Sequence, residues 1–228
     1  MTAIQWDQDG QRFYETGVKK GVLYKKSGTS YGTGVPWNGL TGVTEKPSGA
    51  EATKLWADDI NYGTMRSAEE FGLTIEAYTY PDEFAECDGS AEPTPGLKLG
   101  QQSRTPFGFS YVTTKGNDSS TNYGYLLHLA YNCTASPSER AYQTINDSPE
   151  AITFSWEIET TMTNVTGYKP LASITIDSNK VDATKLKALE ETLYGTNATQ
   201  PTLPSPDEVI AIIKGTSGAT GASGAAQS

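Results

Sequence analysis

Strict alternation of apolar and polar side chains recurs along this chain and confines it to a sheet-based fold. In Glu69–Tyr80 (EEFGLTIEAYTY), Phe71, Leu73, Ile75 and Ala77 fall on one face of an extended strand. Glu70, Thr74, Glu76 and Tyr78 fall on the other. Residues 150–162 (EAITFSWEIETTM) repeat the pattern, with Ile152, Phe154, Trp156 and Ile158 opposed to Thr153, Ser155, Glu157, Glu159 and Thr161. Such runs predict half-buried strands with one wet face. With 13 tyrosines, 23 glycines and 12 prolines, the composition adds residues suited to pleated surfaces and to the turns between them. The prediction is a mainly β chain.

Further strands are expected over Val18–Lys26, Phe107–Lys115, Tyr123–Cys133 and Pro170–Asp177, with a weaker one over 141–146. GNDSSTN, between Phe107–Lys115 and Tyr123–Cys133, reads as a hairpin loop. Val18, Val22 and Tyr24 should share a face, and Lys19, Lys20, Lys25 and Lys26 read as solvated. In Tyr123–Cys133, Tyr123, Tyr125, Leu127, Leu129 and Tyr131 share one face and His128 lies on the other. Residues 51–62 (EATKLWADDINY) read as strand plus turn, with a short helix as the alternative. Pro81, two following acids and Gly89 mark a short helix, and 90–106 reads as a Gly/Pro-rich loop. Helical signals follow. Asp182 caps a run through Leu186, Leu189 and Leu193 that ends at Gly195. Ser205-Pro206-Asp207-Glu208 is a capping box before Val209, Ile210, Ile212 and Ile213. The last residues, 214–228, are low in complexity and read as a flexible tail. Residues 1–17 read as an arm, polar apart from Trp6, Phe13 and Tyr14, that docks on something.

The stretch Gly34–Gly49 (GVPWNGLTGVTEKPSG) resists this pattern. Its glycines, Pro36 and Pro47 read as a long loop, here 26–49. Yet Val35, Trp37, Leu40 and Val43 supply more apolar surface than a solvent loop needs. Two readings stand: a loop folded over its own core, or one that docks on another subunit with Trp37 as an anchor.

The formal net charge is −10, the wrong sign for a protein that grips nucleic-acid phosphates. Solubility alone accounts for it equally well. The two cysteines, Cys87 and Cys133, make no disulfide framework and read as buried thiols. The first fifteen residues hold no apolar run of signal-peptide type, and no stretch has the length of a membrane span, so a cytoplasmic folding site is expected. Asp58-Asp59 has no further acids at calcium-loop spacing. His128, the single histidine, lacks local partners. Nucleophile-elbow, phosphate-loop and zinc signatures are missing together, so no catalytic, cofactor-binding or metal-ligating residue is assigned and no enzyme is expected.

Several segments in order resemble the major tail proteins, or tail tube proteins, of long-tailed bacteriophages. They are VKKGVLY, GVPWNGLTGVTEKPSGAE, LWADDINYGTMRSAEEFGLTIEAYTYPDEFAECDG and LPSPDEVIAII, spanning about residues 11–213. The resemblance implies a β-sandwich or split barrel with a flanking α-helix (residues 18–213) behind the 1–17 arm. It implies homo-hexameric rings stacked into a hollow tube that carries the genome out of the capsid. Tape-measure, tail terminator and distal tail proteins would be its partners. The protein would be part of the virion tail, assembled in the host cytoplasm without contact with a membrane. Val35, Pro36, Trp37, Asn38, Leu40, Val43 and Glu45 are then expected at subunit contacts. Glu157 and Glu159, with Glu70 and Glu76, are expected to face a channel that lets DNA pass without holding it. An outer solvated face is the alternative for each pair of carboxylates. Two other classes compete. One is a virion decoration or receptor-binding β-sandwich with exposed aromatic residues. The other is a hydrolase using Glu157 and Glu159, which a strand places on one face.

Overall fold

A computed structural model of the chain describes residues 3–142, 144 and 151–215. One large antiparallel sheet dominates, and the fold is mainly β. Its strands are β1 (Phe13–Ser27), β2 (Ser30–Trp37), β3 (Leu40–Gly49), β6 (Glu69–Ala77), β9 (Phe107–Asn117), β10 (Gly124–Ala135), β11 (Phe154–Thr160) and β14 (Ser173–Asp177). Three two-stranded ribbons stand apart from it: β4 (Ala52–Ala57) with β5 (Ile60–Arg66), β7 (Ala91–Thr94) with β8 (Leu97–Leu99), and β12 (Thr163–Val165) with β13 (Tyr168–Leu171). Among the described residues, two α-helices complete the order, α1 (Ala183–Tyr194) and α2 (Pro206–Lys214).

The strand order β2-β1-β9-β10-β11-β6-β3 explains the overall geometry. β2 and β3 lie at opposite ends of this path, yet only Asn38 and Gly39 join them. The sheet must therefore curl until its ends meet. They meet where Leu40 comes up against Gly21, so close that a Cβ on Gly21 would lie 2.4 Å from the Leu40 Cδ1. The barrel is also split on its other side. One edge of β10 pairs with β14 over Leu126–Ala130 and then with β11 over Cys133–Ala135. Asn132, with φ 47°, forms the bulge at which the partner changes.

The curled sheet has two apolar faces. Its inside holds Leu23, Trp37, Leu73, Ile75, Phe84, Phe107, Phe109, Trp156 and Ile158. On the outside, Val22, Tyr24, Val112, Leu127, Leu129 and Tyr131 pack under Leu186, Leu189 and Leu193 of α1 and Val209 of α2. Tyr24 donates its hydroxyl to the Leu193 carbonyl at 2.8 Å, and Tyr131 donates to that of Pro204 at 3.1 Å. These bonds satisfy two hydroxyls that the helices bury. The signals for the two C-terminal helices hold: Asp182 caps α1, and Ser205 with Glu208 forms the capping box of α2.

Several expectations change. The stretch 34–49 is not a loop; it is the end of β2, a two-residue turn and all of β3. Its prolines had suggested a loop, but Pro36 and Pro47 lie on the two end strands of the path, where a missing N–H is tolerated. The arm shortens, because β1 begins at Phe13 and pairs with β9 from there. Gly10 also donates its N–H to Asp118, fastening residues before the strand to the β9–β10 turn of the same chain. The segment 90–106 contains the β7–β8 ribbon. In β1, Val18 packs inside whereas Val22 and Tyr24 point out, because the register shifts between Lys19 and Val22 with Lys20 at φ 53°. Pro81–Gly89 folds as a 3-10 turn, Asp82–Glu86, rather than as an α-helix. The weak strand over 141–146 lies largely outside the described residues.

Candidate assembly surfaces

Alternation in β11 and β6 sends Trp156, Ile158, Leu73 and Ile75 into the barrel, so their neighbours must point out. α1 and α2 cover the outside of β1, β9, β10 and β14, but they leave that of β11, β6 and β3 bare. On this bare face the register sets Glu157 beside Thr74 and Thr44, Glu159 beside Gly72 and Lys46, Glu76 beside Ser155, and Glu70 beside Ser48. The structure therefore brings the four named carboxylates, Glu70, Glu76, Glu157 and Glu159, onto one exposed surface. Lys46 is the cation among them, and its Nζ donates to Glu157 Oε1 at 3.0 Å. Both side chains stay more than half exposed, at 52% and 68%. An ion pair this wet does little for stability, and one ammonium against four carboxylates leaves the patch negative.

The stretch 34–49 divides differently. Trp37 is 3% exposed and stands among Phe84, Phe109 and Trp156, with ring centroids 4.5–5.6 Å away. Its Nε1 donates to the Thr79 carbonyl at 3.0 Å. The expectation of an exposed anchor is thereby corrected: the barrel closes at Trp37, and an indole fills the space where the ends of the sheet meet. Val35, Leu40 and Val43 are half-buried, and Leu40 and Val43 pack against the same core. Pro36 and Asn38 remain exposed.

Glu45 points to the inner side of β3, where its Oε1 accepts the Tyr111 hydroxyl at 2.7 Å. Burial, with Glu45 alongside, pushes the Tyr111 phenol up and keeps it a donor. The His128 ring stacks on Tyr111 at 4.5 Å, and its Nδ1 lies 3.5 Å from the same Glu45 oxygen. Thr113 Oγ1 is 3.0 Å from the Nε2 of that ring. Spacing along the chain could not reveal this cluster, because its members come from β3, β9 and β10.

Burial lowers the His128 pKa from 6.5, and the opposing pull of Glu45 and Glu15 is weaker. The unfolded chain therefore binds the proton more readily than the folded one. The contribution of this site to stability is complete above pH 6.5 and is lost as pH falls through the lower folded value. Between pH 6.5 and about pH 5, the melting temperature of the wild type is expected to fall more steeply than that of His128→Gln, measured by calorimetry. Parallel profiles would mean that His128 titrates alike in both states.

Among the described residues, no group of three or more His, Cys, Asp or Glu side chains is placed to hold a metal. Asp58 and Asp59 have a structural account. Both are left-handed, with φ 50° and 59°, as the central residues of a tight hairpin turn must be. Cys87 and Cys133 are fully buried, and burial pushes the Cys87 thiol up to about 12. No helix of the described residues is long and apolar enough to cross a membrane.

The β4–β5 hairpin is the surface that sequence reasoning undervalued. Trp56, Ile60, Tyr62 and Met65 are all 62–75% exposed. Among the described residues, its strands make their substantial contacts only with each other. A signal was available in LWADDINY, since large apolar side chains flank a polar turn.

The fold and these surfaces define a class: a split β-barrel under a two-helix cap, with one bare acidic face and a projecting apolar hairpin. No family model matches the chain, and no curated protein matches it. Among solved structures, it is similar to a chain from the sheath–tube complex of an extracellular contractile injection system, PVC, in the extended state. That match has 10% identity, covers 76% of this chain and 94% of the other, and has a TM-score of 0.36. A chain of the six-fold symmetrised baseplate of the anti-feeding prophage matches at 7% identity and TM-score 0.37, over 76% and 97%. One from the sheath/tube terminator of the PVC system matches at 10% identity and TM-score 0.33, over 76% and 99%. Likeness at this level decides nothing about how this chain assembles.

Proposed function

We propose that this protein is a non-enzymatic structural subunit of a phage-type tail tube. Copies join in six-membered rings, and stacked rings enclose a channel for DNA. The observation that carries this reading is the gathering of Glu70, Glu76, Glu157 and Glu159 on the one sheet face that the helices leave bare. A phosphate backbone passing such a surface is repelled rather than trapped. The edge of β3, with Pro36 near the end of β2 and Asn38 in the turn between the two strands, supplies backbone and side chains for lateral contacts. Tape-measure, terminator and distal tail proteins would meet such a tube at its ends and along its bore.

Negative-stain electron microscopy of the full chain over a concentration series, paired with solution mass, tests the assembly. Rings or tubes with a central channel are the expected result. A stable trimer without rings would overturn it in favour of a decoration or receptor-binding module.

The channel assignment has its own test. In assembled tubes, replacing Glu157 and Glu159 by lysine is expected to leave folding intact, because both side chains are exposed. The same change should create salt-sensitive retention of double-stranded DNA, read by co-sedimentation at low and high salt. Tubes that bind no more DNA than wild type would place these carboxylates away from the bore.

A further inference from the structure

The β4–β5 hairpin and a groove beside its base carry complementary chemistry. The groove has a volume of about 1260 Å³. Ile174 and Ile176 of β14, Leu171 of β13, and Ile210 and Ile213 of α2 make it apolar. Arg66, Lys169 and Lys214 line it as well, against a single acid, Glu69. Among the described residues, none of these three cations has an ion-pair partner, and the Lys214 ammonium sits 5.8 Å from the centroid of the Tyr168 ring at the groove's rim. The hairpin shows the converse: an apolar set at Trp56, Ile60, Tyr62 and Met65, and a tip, Asp58-Asp59, without a cation beside it among the described residues.

We propose that the hairpin of one copy docks in this groove on a second copy, with its apolar side chains on the isoleucine floor and Asp58-Asp59 toward Lys169 and Lys214. Two occupants from the same chain fail on physical grounds. The groove includes Ala50, Arg66, Ser67 and Ala68, which form the root of the hairpin. The tip of a two-stranded ribbon with six and seven residues per strand lies roughly 20 Å from that root, so it cannot fold back into the groove intact. The C-terminal stretch 216–228 follows α2 directly, but it offers no apolar side chain larger than alanine. Repeated head to tail, such a contact builds a ring or a filament; exchanged reciprocally between two copies, it closes a two-fold dimer. The inference rests on the reading that copies assemble, but it does not depend on six-fold symmetry.

The test uses the full chain in two single variants, Ile60→Cys and Lys169→Cys, mixed in equal amounts and treated with a short bismaleimide. Both positions are exposed, and the native Cys87 and Cys133 are fully buried. A cross-link between the two different variants, absent from either alone, is expected. Separately, Asp58→Lys with Asp59→Lys should raise the concentration needed for assembly by about tenfold or more. Adding Lys169→Glu and Lys214→Glu to that variant should restore most of the loss. Cross-linking of Ile60→Cys to itself, or normal tubes without the mixed cross-link and without an effect of charge reversal, would overturn the hairpin contact and leave the tube reading standing. The mixed cross-link in assemblies that never form rings would keep the contact and remove the tube. Monomers at every concentration would remove both.

Discussion

Replacing Trp37 by alanine is expected to destabilise the monomer by about 3–5 kcal/mol, in the range measured for emptying a buried aromatic site. Three aromatic rings would lose their common neighbour, because Phe84, Phe109 and Trp156 all pack against the indole. The Thr79 carbonyl would also lose the donor it has in Nε1. Trp37 ends β2, so its side chain holds together the two ends of the curled sheet. Its loss should loosen the barrel at the seam before anything else. For a chain of this size, a loss of that order corresponds to a drop in melting temperature of roughly 10 °C. Trp56→Ala is the contrast. At 67% exposure its removal should change monomer stability by no more than about 0.5 kcal/mol. Denaturant titration of both variants decides the matter. A Trp37→Ala monomer as stable as wild type, failing only in assembly, would return this residue to the subunit interface.

The second large effect is expected at Gly49, where the chain leaves the main sheet for the β4–β5 hairpin. Gly49 has φ +75°, a conformation that side chains disfavour. A Cβ there would lie 2.3 Å from the Ala68 carbonyl oxygen, which is backbone and cannot swing aside. That oxygen also accepts the Ala50 N–H at 3.2 Å. Gly49→Val therefore combines left-handed strain with displacement of a backbone hydrogen bond, and a loss of about 2–4 kcal/mol is expected. At Gly63, within the hairpin, an added Cβ would meet no atom within 4 Å and the φ is not left-handed, so Gly63→Ala should be nearly neutral. Equal midpoints for the two variants in urea would show that the root of the hairpin is not fixed in this way.

Much of this architecture could be read along the chain because its cause is local. Alternation in Glu69–Tyr80 and in 150–162 follows from the two-residue period of a strand, and it correctly divides Leu73, Ile75, Trp156 and Ile158 from Glu70, Glu76, Glu157 and Glu159. Asp182 and Ser205 cap the helices they were expected to cap, because capping needs only a side-chain oxygen within three residues of free N–H groups. The turn chemistry was legible but easily misread. Pro36, Gly39, Pro47 and Gly49 suggest a loop wherever strands are assumed to be central, and only the strand order shows that β2 and β3 are the ends of the path.

What alternation leaves open is the destination of each face. The sequence determined the alternating strands such as β6 and β11 with their two faces, the caps of α1 and α2 and the acidic balance, since each depends on composition or on residues a few positions apart. The tertiary structure alone decided which part of the outer sheet face the helices cover, that Trp37 fills the seam, and that Glu45, Tyr111 and His128 meet from three strands. It alone set an apolar groove at the root of an apolar hairpin, with cations at the one and acids at the tip of the other that form no ion pair among the described residues. These are consequences of a sheet curling until β2 meets β3, and closure of that kind is set by packing summed over the whole barrel rather than by any stretch of sequence.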